Sequence, residues 1–178
     1  MKNSNLKINR AVFLQKSLIG TAGLLLPASL MAQTAQENPP PLKIEIVKEY
    51  ITVAHGKMER LKEMLENDKQ LLHVSYDWGG GDYESAIEAA GHVGNKDIAA
   101  YLLGKGARYN IYLACMLGHL DIVKQVLTLN PQLLNSKGPH GFTMLHHANK
   151  GGEASKAGVD YLTSLGAKET KIDFYAKS

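Results

Sequence analysis

The sequence predicts an all-α fold, a solenoid of about four short helix-turn-helix pairs, and three observations carry that prediction. A small residue followed four positions later by glycine recurs, ending at Gly56, Gly94, Gly118 and Gly152, which lie 38, 24 and 34 residues apart. In the first three instances an acid follows three residues on, at Glu59, Asp97 and Asp121. Apolar side chains then recur at helical spacing, as Ile98, Tyr101 and Leu102 and again as Ile122, Val123, Val126 and Leu127. A period of some thirty residues that survives slips of this size marks stacked supersecondary units. Glycine between two helices permits the left-handed residue that closes the first, and the acid meets the positive end of the second.

Taken in order, residues 1–32 read as an export signal. Lys2, Lys7, Arg10 and Lys16 precede an apolar or small-residue run over residues 17–32 that is too short and too interrupted by Gly and Pro to span a bilayer. Arg10, Phe13, Leu14 and Lys16 resemble a twin-arginine signal, with Ala11 where the second arginine would stand. This segment holds four of the 20 Lys/Arg and none of the 17 Asp/Glu, so the remainder carries sixteen basic against seventeen acidic groups, a net charge of −1. The whole-chain charge of +3 therefore belongs to the signal. Nothing in the remainder would draw the protein to nucleic acid or to an anionic lipid surface. Residues 33–43 are a polar, proline-rich linker, extended through Pro39, Pro40 and Pro41. The repeat domain then covers residues 44–168, and residues 169–178 form a C-terminal tail. Ala89, Ala90, Ala114 and Ala148 suit close helix packing, and the lone Cys115, in a small-residue helical context, reads as a buried apolar side chain.

Residues 141–148, GFTMLHHA, resemble the opening of an ankyrin repeat, with Met144 in place of its proline. Residues 118–127, GHLDIVKQVL, are similar to the ankyrin second helix, and LLGKGAR and LTSLGAK resemble its ending. Between the second and third pairs only nine residues separate Leu103 from Leu113, so the extended finger of an ankyrin repeat has no room there. The resemblance implies that Thr143 caps a helix and that His146 bonds backbone or a neighbouring repeat. It implies the same structural duty for His119. It also implies a non-enzymatic protein–protein interaction module, here monomeric and exported, in a periplasmic setting, with a protein partner that the sequence does not identify.

Chemistry-bearing motifs are sparse. Ser85, Ser136 and Ser155 lack a nucleophile elbow, and the triple glycine 79–81 lacks the Lys-Ser/Thr of a phosphate loop. His146 and His147 are adjacent on a helix and diverge by about 100°. His140 with His146 has no evident third metal ligand, and His55 and His92, near the inter-helix turns, are expected to face solvent. No catalytic residue, cofactor or metal ligand is therefore assigned. One stretch, VSYDWGGGDYES over residues 74–85, does not follow from the helical pattern. Its aromatics and acids, together with His140 in the equivalent loop of the last pair, place Tyr76, Trp78, Asp82, Tyr83 and His140 in one candidate partner-binding patch. The alternative is a small-ligand-binding protein or an enzyme working through Trp78, Asp82 and His140; convergence of Asp82, His140 and His92 on a small pocket would favour it.

Overall fold

The computed structural model describes residues 38–175; the export signal, the start of the linker and the last three tail residues lie outside them. From residue 41 onward the chain is mostly helical. Among the described residues, eight α-helices run as four pairs: α1 (Ile44–Val53) with α2 (Met58–Asn67), α3 (Ala86–Val93) with α4 (Lys96–Gly104), α5 (Ile111–Leu117) with α6 (Leu120–Leu129), and α7 (Met144–Lys150) with α8 (Lys156–Ser164). The first helices pack against one another, α1 on α3, α3 on α5 and α5 on α7, while α6 packs on α8. Among the described residues, no helix is long and apolar enough to cross a membrane.

Local chemistry sets the boundaries. Asn95, Asn110 and Thr143 accept the N–H three residues on and so start α4, α5 and α7, and Ser85 with Glu88 closes a capping box on α3. Glu59, Asp97 and Asp121 sit in the first turns of α2, α4 and α6. Gly94 and Gly118 end α3 and α5 in the left-handed conformation, φ 80° and 76°. A Cβ on Gly118 would come within 2.0 Å of the Ala154 carbonyl oxygen, so the next pair packs on bare backbone there. Gly56 does not share this role: its φ is not positive, and the α1–α2 turn closes with right-handed residues.

The core is apolar and falls into two clusters along the chain. Tyr50, Ile51, Leu61, Leu71, Ile98 and Leu102 anchor one cluster, and Val123, Leu127, Met144 and Leu162 anchor the other with the buried Cys115. Burial drives the Cys115 thiol up to about 12, as suits a packing residue. The stripe on α6 is narrower than its sequence suggests: Val123 and Leu127 are buried, but Ile122 is 41 % exposed, because it falls at the rim between α6 and solvent.

Two features lie outside the helical pattern. Residues 75–85 form an antiparallel hairpin, β1 (Ser75–Asp77) with β2 (Tyr83–Ser85), in which Tyr76 opposes Glu84. Its tip needs glycine: Gly79, Gly80 and Gly81 all have positive φ, and Asp77 accepts the N–H groups of Gly79 and Gly81. The tail folds back along the loop before α7, with Phe142 bridged to Lys171 and Ile172 N–H donating to the Gly141 carbonyl. The Tyr175 hydroxyl reaches the Gly79 carbonyl.

Candidate functional site

Four of the five patch residues expected from sequence meet at one edge. Asp82 is turned inward at the foot of β2, 4 % exposed. Its Oδ1 accepts the main-chain N–H of His140 at 2.7 Å, and its Oδ2 accepts from His140 Nδ1 at 2.9 Å. The hairpin and the loop before α7 are therefore neighbours. Trp78 packs edge-on against Tyr76 at 4.8 Å and lies 5.9 Å from the His140 ring. Tyr83 is the exception. Strand alternation sends it outward, 60 % exposed, while its neighbours Asp82 and Glu84 turn inward.

The structure adds Glu84 and His55 to this edge and brings in His92, which the sequence names only for the alternative reading. Glu84, on β2, is fully buried at 0 % exposure. Its Oε2 accepts from Trp78 Nε1 at 2.9 Å, and its Oε1 has no aligned hydrogen-bond donor. Around it stand three imidazoles: His92 Nε2 at 2.8 Å and His55 Nε2 at 3.7 Å from Oε1, and His140 Nε2 at 3.3 Å from Oε2. His92 and His55 also approach each other, Nε2 to Nε2, at 3.0 Å. The expectation that His92 faces solvent is corrected. It is buried because its ring stacks on Phe142, which in turn stacks on His146, and because its carbonyl bonds to His146 Nε2 at 2.8 Å. His146 keeps the structural duty foreseen for it.

The outer hydrogen bonds fix which ring nitrogens face the centre. A carbonyl oxygen only accepts, so His55 Nδ1, 3.1 Å from the Ile51 carbonyl, carries its proton. His140 Nδ1 donates to Asp82 in the same way. In the neutral rings both Nε2 atoms then present lone pairs inward. His140 occupies the left-handed region, φ 58° and ψ 16°, a conformation that costs a residue with a Cβ about 1–2 kcal/mol. The two bonds from Asp82 hold it there.

The electrostatics are unusual. Asp82 and Glu84 are buried acids, and among the described residues neither pairs with lysine or arginine. Burial pushes the Glu84 carboxyl up, but the imidazoles, His92 foremost, outweigh it and hold the group below its ordinary value. His55, Glu84, His92 and His140 each offer one donor atom within 4.8 Å of all the others. Imidazole nitrogens and a carboxylate are metal-ligand chemistry, and the Asp82–His140 bond is the outer contact that orients a ligating histidine. No hydroxyl or thiol among the described residues hydrogen-bonds His140. An open cleft of about 320 Å³, lined by Asp82, His140, Lys171, Asp173, Phe174 and Tyr175, lies beside the Asp82–His140 pair. No protein-family model matches the chain, and no curated protein matches it in sequence.

Proposed function

We propose that the chain is an exported small-ligand-binding protein, in which an ankyrin-type stack of helix pairs serves as the frame and the edge carrying His55, Asp82, Glu84, His92 and His140 is the binding site. One observation carries the reading: a fully buried carboxylate has an oxygen without an aligned donor, in the middle of three imidazoles. A polar group left unsatisfied in the interior costs about 1–3 kcal/mol, and a charge costs more, so a stack built for rigidity alone has no use for it. The convergence of Asp82, His140 and His92 is the arrangement that separates a ligand site from a broad contact face. A protein-interaction surface at this edge is the second reading, and the outward-facing Tyr83 favours it; Asp82 and most of Trp78 are turned away from any partner. The resemblance of residues 114–168 to ankyrin repeats and the charged, apolar leader support the frame and the export.

Mass spectrometry of protein taken from exporting cells tests the reading. Under native conditions wild type should retain a mass that is lost on denaturation, and Glu84→Gln should not retain it. Equal native and denatured masses for wild type would remove the reading. Fractionation with and without residues 1–32 tests export, and retention of the full chain in the cytoplasm would refute it.

A further inference from the structure

We infer that the ligand is a late first-row divalent metal ion, of which zinc is the natural probe, held by the Nε2 atoms of His55, His92 and His140 and by the carboxylate of Glu84. This rests on the small-ligand reading and narrows it to one chemistry.

Geometry comes first. Four donors around a tetrahedral zinc ion at roughly 2.0–2.1 Å are about 3.3 Å apart. Around Glu84 Oε1 the separations are 2.8 Å to His92, 3.7 Å to His55 and 3.0 Å between those two rings; His140 Nε2 is 3.3 Å from Oε2, and all four donors lie within 4.8 Å of one another. The ligands come from four separate places: the α1–α2 turn, β2, the last turn of α3, and the loop before α7. Their convergence is therefore a product of the tertiary fold, not of one helix face.

Ring orientation comes second. His55 and His140 spend their Nδ1–H on a carbonyl and a carboxylate, which leaves Nε2 unprotonated and aimed at the centre. Asp82 is thus a positioning residue, holding both the tautomer of His140 and its left-handed backbone.

Charge comes third. With neutral imidazoles the buried groups Asp82 and Glu84 bring two negative charges and no lysine or arginine partner among the described residues. A divalent cation balances them. Three nitrogens and one carboxylate select zinc, copper, nickel or cobalt; magnesium and calcium require oxygen-rich shells. Partial exposure of His55 and His140 supplies an entry path.

Trp78 provides the readout. It is the only tryptophan in the chain, and its Nε1–H bonds Oε2 of the same Glu84 carboxylate whose Oε1 has no aligned donor. Chelator-stripped protein titrated with zinc, and separately with copper, should show a saturable 1:1 change in Trp78 emission, with matching heat in calorimetry and Kd below about 1 µM. Magnesium and calcium should have no effect. His55→Ala, Glu84→Gln and His140→Ala, each verified as helical by circular dichroism, should weaken binding by at least about 100-fold, and Asp82→Asn by about 10–100-fold. His73→Ala and His119→Ala, exposed and outside the donor set, should leave it unchanged. Absence of 1:1 binding by the folded wild type, or an equal loss from His119→Ala and His140→Ala, would overturn the inference. An organic mass retained natively and lost in Glu84→Gln, without metal binding, would overturn the metal and leave the ligand site standing. No retained mass and no metal binding would remove both.

Discussion

Glu84→Gln should stabilise the metal-free protein while abolishing tight metal binding. In stripped wild type the carboxylate is fully buried and has one aligned donor, Trp78 Nε1–H. Glutamine can keep that bond by placing its carbonyl at the Oε2 position. Its amide nitrogen then replaces Oε1, 2.8 Å from His92 Nε2, without a charge. With the imidazoles neutral, the change removes a buried charge that no cation balances. The gain is about 1–3 kcal/mol, or roughly 3–10 °C in Tm for a domain of this size. Thermal melts in excess chelator, above the imidazole titration range, measure it. With saturating zinc the order should reverse, because only wild type gains binding free energy. A Tm for Glu84→Gln well below wild type in chelator would refute the reasoning, since breaking a purely structural His–Glu ion pair costs about 3–5 kcal/mol.

Three further outcomes follow from packing and burial. Val123→Asp should unfold the stack, because Val123 is 1 % exposed; Ile122→Asp should cost less than about 1 kcal/mol, because that residue is at the rim and an acid suits the first turn of α6. Equal losses in urea melts would reassign the buried face. Gly118→Ala should cost at least about 2 kcal/mol more than Gly106→Ala: both have positive φ, but only at Gly118 does the new Cβ meet a carbonyl oxygen. Equal denaturant midpoints would mean that the close approach to residue 154 is absent. His147 is buried beside Tyr112, and burial, against the pull of its bond to the Thr143 carbonyl, depresses it from 6.5 to about 4. Its neutral form is favoured by folding, so its contribution is complete above the unfolded pKa and is lost as pH falls toward the folded one. Between those values wild type should lose about 3 kcal/mol more than His147→Phe; parallel stability–pH curves would show that His147 is not buried neutral.

The helix pairs were readable because their signals are local. Alternation of apolar side chains, acids in first turns and the turn glycines at Gly94 and Gly118 each act within a few residues. The misreading of Ile122 has the same origin. Spacing identifies an apolar face but not how far the neighbouring helix extends across it. The site was legible in part. Asp82, Trp78 and His140 stood out because aromatic, acidic and flexible residues broke the helical pattern. Glu84 had a usable signal, since β-strand alternation from Asp82 puts both acids on one face, but that required reading residues 83–85 as a strand. His55 and His92 had none. A histidine near an inter-helix turn faces solvent or core according to what the rest of the chain lays over it, and here that is Phe142, some fifty residues later.

That covering depends on an omission. The link from α4 to α5 is a short turn at residues 105–110, with no hairpin of its own. A finger there would stand between the hairpin of residues 75–85 and the loop of residues 138–143. Without it, α3 packs against α7 as well as α5, His146 reaches the His92 carbonyl, and Asp82 accepts from the main-chain N–H and the Nδ1 of His140. The departure from regular repetition and the gathering of the four donors are thus the same structural event. A uniform stack keeps successive loops one repeat apart and offers a surface. By leaving out one loop, this chain brings two others into contact and encloses Glu84, so the irregularity that makes the repeat pattern hard to read is also what buries an acid among three imidazoles.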